Sequence, residues 1–170
     1  MNLFLRARGT RIATASLVAA CVAGCSSSST IEFTVDQAPP VLTRVQLGDQ
    51  GPSHGDLLAF ESSISRDGEV VGELTGMLTT VDLAVPAGTG REALEERFGT
   101  LVFRFGDTDT IIANGSSVYP SGEAEMAEET PQTRAVLGGT GSYLGVTGQV
   151  TTTRQGGGAY RHRLELIKPD

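Results

Sequence analysis

Tryptophan is absent from the chain, and cysteine and histidine occur only twice each. Cys21 and Cys25 both lie close to the N-terminus, so no disulfide framework staples the rest of the sequence. His54 and His162 stand far apart, with no cysteine cluster near either, which argues against a zinc or haem site. No metal and no cofactor is expected. Basic side chains are outnumbered, 13 Lys and Arg against 20 Asp and Glu. That balance argues against a nucleic acid or an anionic lipid surface held by charge. Long apolar runs are lacking as well. The run Ile12 to Gly24 falls short of the roughly 20 residues that a membrane-spanning helix needs.

What is present begins with Arg6, Arg8 and Arg11, followed by that short run of small and apolar residues. This is the order of a cleaved export signal. Val22-Ala23-Gly24-Cys25 resembles the lipobox of bacterial lipoproteins, whose cysteine sulfur receives a diacylglycerol and becomes the first mature residue. Val18-Ala19-Ala20-Cys21 is a second, weaker match. Cys25 is preferred because Ser26 to Ser29 follow it, as a polar, flexible tether would. The alternative is an ordinary secretory signal with two incidental cysteines. The chain thus divides into a signal segment over 1–25, a flexible tether over 26–40 and a domain over 41–170. The expected location is the extracytoplasmic face of the cell membrane, touched through the lipid alone. Two acyl chains give the hold that one lacks. Removing residues 1–25 takes away three arginines and no acid, leaving ten basic against twenty acidic side chains, a net charge of −10.

The remainder reads as short strands between turn signals. Candidate strands are Val41 to Leu47, Asp56 to Ser65, Val70 to Leu83, Phe98 to Phe105, Thr110 to Asn114, Arg134 to Leu137, Gln149 to Arg154 and Tyr160 to Ile167. Val118-Tyr119 adds a short extension. The period of two is clearest in the second, with Leu58, Phe60, Ser62 and Ile64 on one face. Asp67-Gly68 marks a hairpin. Residues 84–95 read as a loop with a helical turn near Glu92 to Glu96, and the acidic stretch Glu123 to Glu129 as a solvated loop or one helical turn. About eight strands with no long helix predict an all-β fold, a single antiparallel eight-stranded barrel whose closure removes exposed edges.

A family resemblance adds to this. Ala135 to Val150, with its Gly138-Gly139-Thr140-Gly141 turn, Tyr143, and Gly145 and Gly148 ahead of the next strand, resembles the signature of the allene oxide cyclase and dirigent barrel superfamily. Gly55-Asp56-Leu57, Glu96-Arg97-Phe98, Phe105-Gly106-Asp107 and Asn114-Gly115 match further pieces in order. The Gly-rich turn superficially looks like a phosphate loop, but it lacks the Lys-Ser/Thr pair and no helix follows.

The resemblance implies a barrel that folds an apolar substrate into one reactive conformer, as allene oxide cyclases, dirigent proteins and bacterial [4+2] cyclases do. It implies inward positions for Phe60, Ser62 and Ile64, with Ser62 where the plant cyclases carry an amide that helps to hold a water. Leu78 replaces a pocket cysteine of those enzymes, and Phe98 matches a pocket aromatic. The family's pocket glutamate is not reproduced in Val41 to Leu47. These departures argue against allene oxide cyclase activity itself.

Strand parity adds other candidates. Tyr160, His162, Leu164 and Leu166 share one face of the last strand, so His162 is expected inside, as a general acid or a donor to a substrate carbonyl, with Tyr160 beside it and Leu164 in the substrate-binding wall. Tyr119 and Tyr143 are candidate mouth residues. No nucleophile-elbow sequence supports a Ser-His-Asp site. Leu101, Phe103 and Phe105 lie on one face and Val102 on the other, so an outward patch buried in a homodimer or homotrimer is expected.

Three functions fit. The first is a cyclase or isomerase for an apolar, flexible substrate, such as a polyketide intermediate undergoing [4+2] closure in antibiotic biosynthesis. The second is a membrane-anchored lipoprotein that binds an apolar small molecule without turnover. The third is a structural or interaction barrel. The first two predict an apolar cavity of roughly 300 Å³ or more; the third predicts a filled barrel.

Overall fold

The computed structural model describes residues 28–49, 51–85 and 94–169. The stretch expected to be a lipobox, with Cys25, lies outside the described residues. Nine strands follow in order: β1 (Ser28–Gln37), β2 (Val41–Val45), β3 (Leu57–Arg66), β4 (Glu69–Val85), β5 (Leu94–Phe105), β6 (Asp109–Pro120), β7 (Gln132–Thr140), β8 (Thr147–Arg154) and β9 (Tyr160–Pro169). Neighbours pair antiparallel in the order β1-β9-β8-β7-β6-β5-β4-β3-β2, and β1 also pairs with β3. That last contact, Asp36 opposite Ser65 and Gln37 opposite Ile64, closes eight strands into the expected barrel and leaves β2 as an extra strand.

The tether expected over 26–40 is largely a barrel strand. Phe33, Val35 and Gln37 are buried while Glu32, Thr34 and Asp36 are exposed, a period of two that the preceding serines disguise. β1 runs along β9 from Ser28 opposite Pro169 to Gln37 opposite Tyr160. Pro39 and Pro40 then interrupt the ladder, having no N–H to donate. The chain resumes as β2 beside β3, from Val41 opposite Glu61 to Val45 opposite Leu57, with every β2 residue exposed.

β5 also begins earlier than the sequence suggests, so Glu95 to Arg97 belong to a strand rather than a loop. Its parity is set by Leu101 and Phe103, 3% and 0% exposed inside the barrel. Phe98 therefore faces outward, 48% exposed. Of the two apolar faces of this strand, Leu101 and Phe103 are the inner one, packing in the core with Ile64, Leu74, Ile111 and Leu164, which leaves Val102 on the outer face.

The two barrel ends differ. At one end Phe105 and Tyr143 pack with ring centroids 5.5 Å apart, and Phe33 meets both. Here Gly141 sits at φ +58°, and a Cβ there would strike the Asp109 carboxylate. Asp109 accepts the Ser142 backbone N–H at 3.2 Å. The chain's own carboxylate thus fills the turn, which explains its glycine without any phosphate. The other end is plugged by residues 121–131. Arg44 donates to the Gly122 carbonyl at 3.2 Å, and Arg97 donates to the Glu123 and Ala124 carbonyls. Arg154 pairs with Glu125 at 2.9 Å and Glu128 at 3.6 Å. The acidic stretch is thus a strap pinned by three arginines, with no helical turn among its residues.

Candidate functional site

Beneath the strap, residues of all nine strands line a cavity of about 40 Å³. Leu42, Leu58, Phe60, Leu78 and Met126 form an apolar wall, opposite Gln37, Tyr119, Arg134, Thr152, Tyr160 and His162. The cavity holds about three waters, far less than the volume expected of a cyclase pocket. It is also not the filled barrel of a structural module. Phe60 reaches the cavity because Gly76, opposite it on β4, has no side chain; a Cβ at Gly76 would overlap the Phe60 ring.

His162 points inward as its parity predicts, but it meets no water, being 1% exposed. Thr152 Oγ1 lies 3.0 Å from Nδ1 and Gln37 Oε1 lies 2.8 Å from Nε2. An Nε2–H donating to the Gln37 carbonyl oxygen, with Nδ1 accepting from Thr152, satisfies both contacts. Its ring stacks on Tyr160 and meets Phe103 edge-on. Burial, and secondarily the charge of Arg134, push its pKa down to about 3. His162 is therefore neutral near pH 7 with both nitrogens occupied, and it lacks the free proton a general acid needs. Tyr160 lies 3.5 Å from Glu125 through its hydroxyl, and burial raises its pKa.

The other expected site residues divide. Phe60, Leu78 and Tyr119 line the cavity with His162 and Tyr160. Ser62 does not; its hydroxyl donates to the Ala38 carbonyl at 2.7 Å and fastens the chain between β1 and β2 to β3. Ile64 and Leu164, each 0% exposed, belong to the packed barrel centre, where no space remains for a ligand. Phe98 is outside the barrel, and Tyr143 packs at the opposite end.

Arg134 is the main residue that the sequence reading passed over. It is 3% exposed. Its Nη2 donates to the Ser117 hydroxyl and reaches the Tyr119 hydroxyl at 3.3 Å. Its Nε has no acceptor. Gln37 and Thr152 were missed too. In each case the available signal was parity, since Gln37 follows Phe33 and Val35, Arg134 precedes Val136, and Thr152 follows Val150 on buried positions. Glu95 and Arg97 form a buried ion pair, and the Arg97 guanidinium lies 4.2 Å from the Tyr119 ring centroid. Among the described residues, no group of three His, Cys, Asp or Glu side chains is placed to hold a metal ion.

The barrel has the fold of the allene oxide cyclase and dirigent proteins. Pyocyanin demethylase shares it with 24% identity and a TM-score of 0.60, over 80% of this chain and 99% of that one. The Diels-Alderase AbmU from Streptomyces koyangensis is 18% identical with a TM-score of 0.58, over 86% of this chain and 70% of its own. A pterocarpan synthase dirigent protein is 14% identical with a TM-score of 0.55, over 83% and 86%. The sequence matches no protein-family model and no curated protein.

Proposed function

We propose that the protein is a cyclase or isomerase that acts by shape, holding an apolar, flexible substrate under the strap in one reactive conformer. The observation that carries this reading is the make-up of the cavity: an apolar wall facing polar groups, with both nitrogens of the only buried imidazole among the described residues already engaged. Such a site orients and desolvates a substrate but moves no proton through His162. A [4+2] ring closure, such as that of a polyketide intermediate, needs orientation above all. A cavity of about 40 Å³ admits no such molecule, so Met126 and the strap must move aside first. By the same reading the protein is exported and anchored through a diacylglycerol on Cys25; Cys25→Ser should then leave it out of the membrane fraction.

The test is turnover of a linear polyene bearing a tethered dienophile that cyclises slowly unaided. Ring closure is followed by loss of polyene absorbance, and the product by chiral chromatography. Acceleration with one stereoisomer in excess is expected. The uncatalysed rate with racemic product overturns the reading, and tight binding without acceleration replaces it with a carrier.

A further inference from the structure

Arg134 is left unused by steering through shape alone. The other two strap-end arginines within the barrel wall have acidic partners: Arg97 pairs with Glu95, and Arg154 with Glu125 and Glu128. Arg134 is as buried as Arg97 and more so than Arg154, whose Nε likewise has no acceptor, but of the three only Arg134 makes no ion pair with any described residue, and its own Nε–H has no acceptor. A guanidinium cannot shed its proton to escape burial. An uncompensated charge in such surroundings is costly, and its field reaches His162, whose pKa it helps to depress. Nη2 is already committed to Ser117 and Tyr119. The Nε–Nη2 edge therefore cannot grip a carboxylate with two free donors, and Nε offers one bond to one oxygen.

We propose that Arg134 Nε and the Tyr119 hydroxyl bind a single anionic oxygen, an enolate or phenolate, borne on an apolar ring that lies against Leu58, Phe60 and Leu78. This names the substrate class for the cavity and rests on the reading of that cavity as a ligand site. The oxygen would supply the counter-charge that the fold withholds.

The probes are 4-nitrophenol and its near-isostere 4-nitrotoluene, which carries no ionisable oxygen. The wild-type protein should bind the phenolate about tenfold more tightly than 4-nitrotoluene. The bound probe's pKa should fall by about one unit, read from phenolate absorbance across a pH series. Arg134→Met should abolish that shift while still binding 4-nitrotoluene, and Arg134→Lys should retain part of it. If Arg134→Met fails to fold, the wild-type shift and the lysine variant decide the matter. Equal affinity for both probes with an unshifted probe pKa overturns the proposal and leaves Arg134 a strut between β6 and β7. Binding of neither probe overturns the ligand-site reading itself.

Discussion

At the scale of single residues, His162 is a titratable group withdrawn from water, 1% exposed. Its folded pKa lies near 3 against an ordinary 6.5. The unfolded chain therefore binds the extra proton more readily than the folded one between those values. Stability is fully present above about pH 6.5 and is lost as the pH falls toward 3. At pH 4 the loss from this residue amounts to about 3 kcal/mol. Asp56 and Asp109 also have lowered pKa values, each through hydrogen bonds to its carboxylate, and add acid lability of their own. A comparison with His162→Gln cancels their share. Urea unfolding at pH 7 and pH 4 should show the variant less stable than wild type at pH 7, yet losing much less between the two. Equal losses in both proteins would mean that His162 takes up a proton without unfolding.

At the scale of elements, the proposed function requires the strap to move. It holds little apolar surface besides Met126 and Ala124, and is fixed mainly by charged and carbonyl contacts. The Glu95–Arg97 pair lies beneath it, with both side chains at most 5% exposed. Glu95 also accepts the Gly122 N–H at 3.4 Å. Glu95→Gln would leave the Arg97 charge buried without its carboxylate, at a cost of about 3 kcal/mol. The damage should be local first. Amide hydrogen exchange should quicken over residues 121–131 well before it does in β8 and β9, and apolar probes should enter the cavity faster. Uniform quickening along the barrel would show instead that the pair supports the whole fold. The strap contacts of Arg44, Arg97 and Arg154 were not legible in the sequence, because each joins residues far apart along the chain, and Glu95 and Arg97, only two positions apart, gave no sign that they would be buried together. β3 and β9 were legible, since Leu58, Phe60 and Ile64 on one and Tyr160, Leu164 and Leu166 on the other keep a period of two. β1 was hidden by the serines before it, and the start of β5 by Glu95, Glu96 and Arg97, which read as a solvated loop until their partners are known. Tyr160 and His162 could be placed inside by the parity of Leu164 and Leu166. Arg134 could have been placed the same way from Val136, but arginine in a strand is expected to face water.

At the scale of the whole molecule, the direction of β1 sets how an anchored barrel would stand on a membrane. Only Ser26 and Ser27 separate Cys25 from the first residue of β1. A span that short reaches about 10 Å. Ser28 pairs with Pro169 at the Phe105–Tyr143 end, whereas Gln37 and Tyr160, nine pairs further along, line the cavity. A strand of this length spans about 30 Å. A lipid on Cys25 would therefore hold the Phe105–Tyr143 end against the bilayer and aim the strap and cavity away from it. Substrate would then arrive from the aqueous side rather than from the lipid. Single cysteines introduced at Asp107, in the turn after β5, and at Gly157, between β8 and β9, place a fluorophore at either end. In vesicles carrying the lipidated protein, quenchers on the lipid headgroups should dim the Asp107 label strongly and the Gly157 label little. The reverse order, or equal quenching, would mean that the barrel lies on its side or hangs free, and that the cavity has access to the membrane after all.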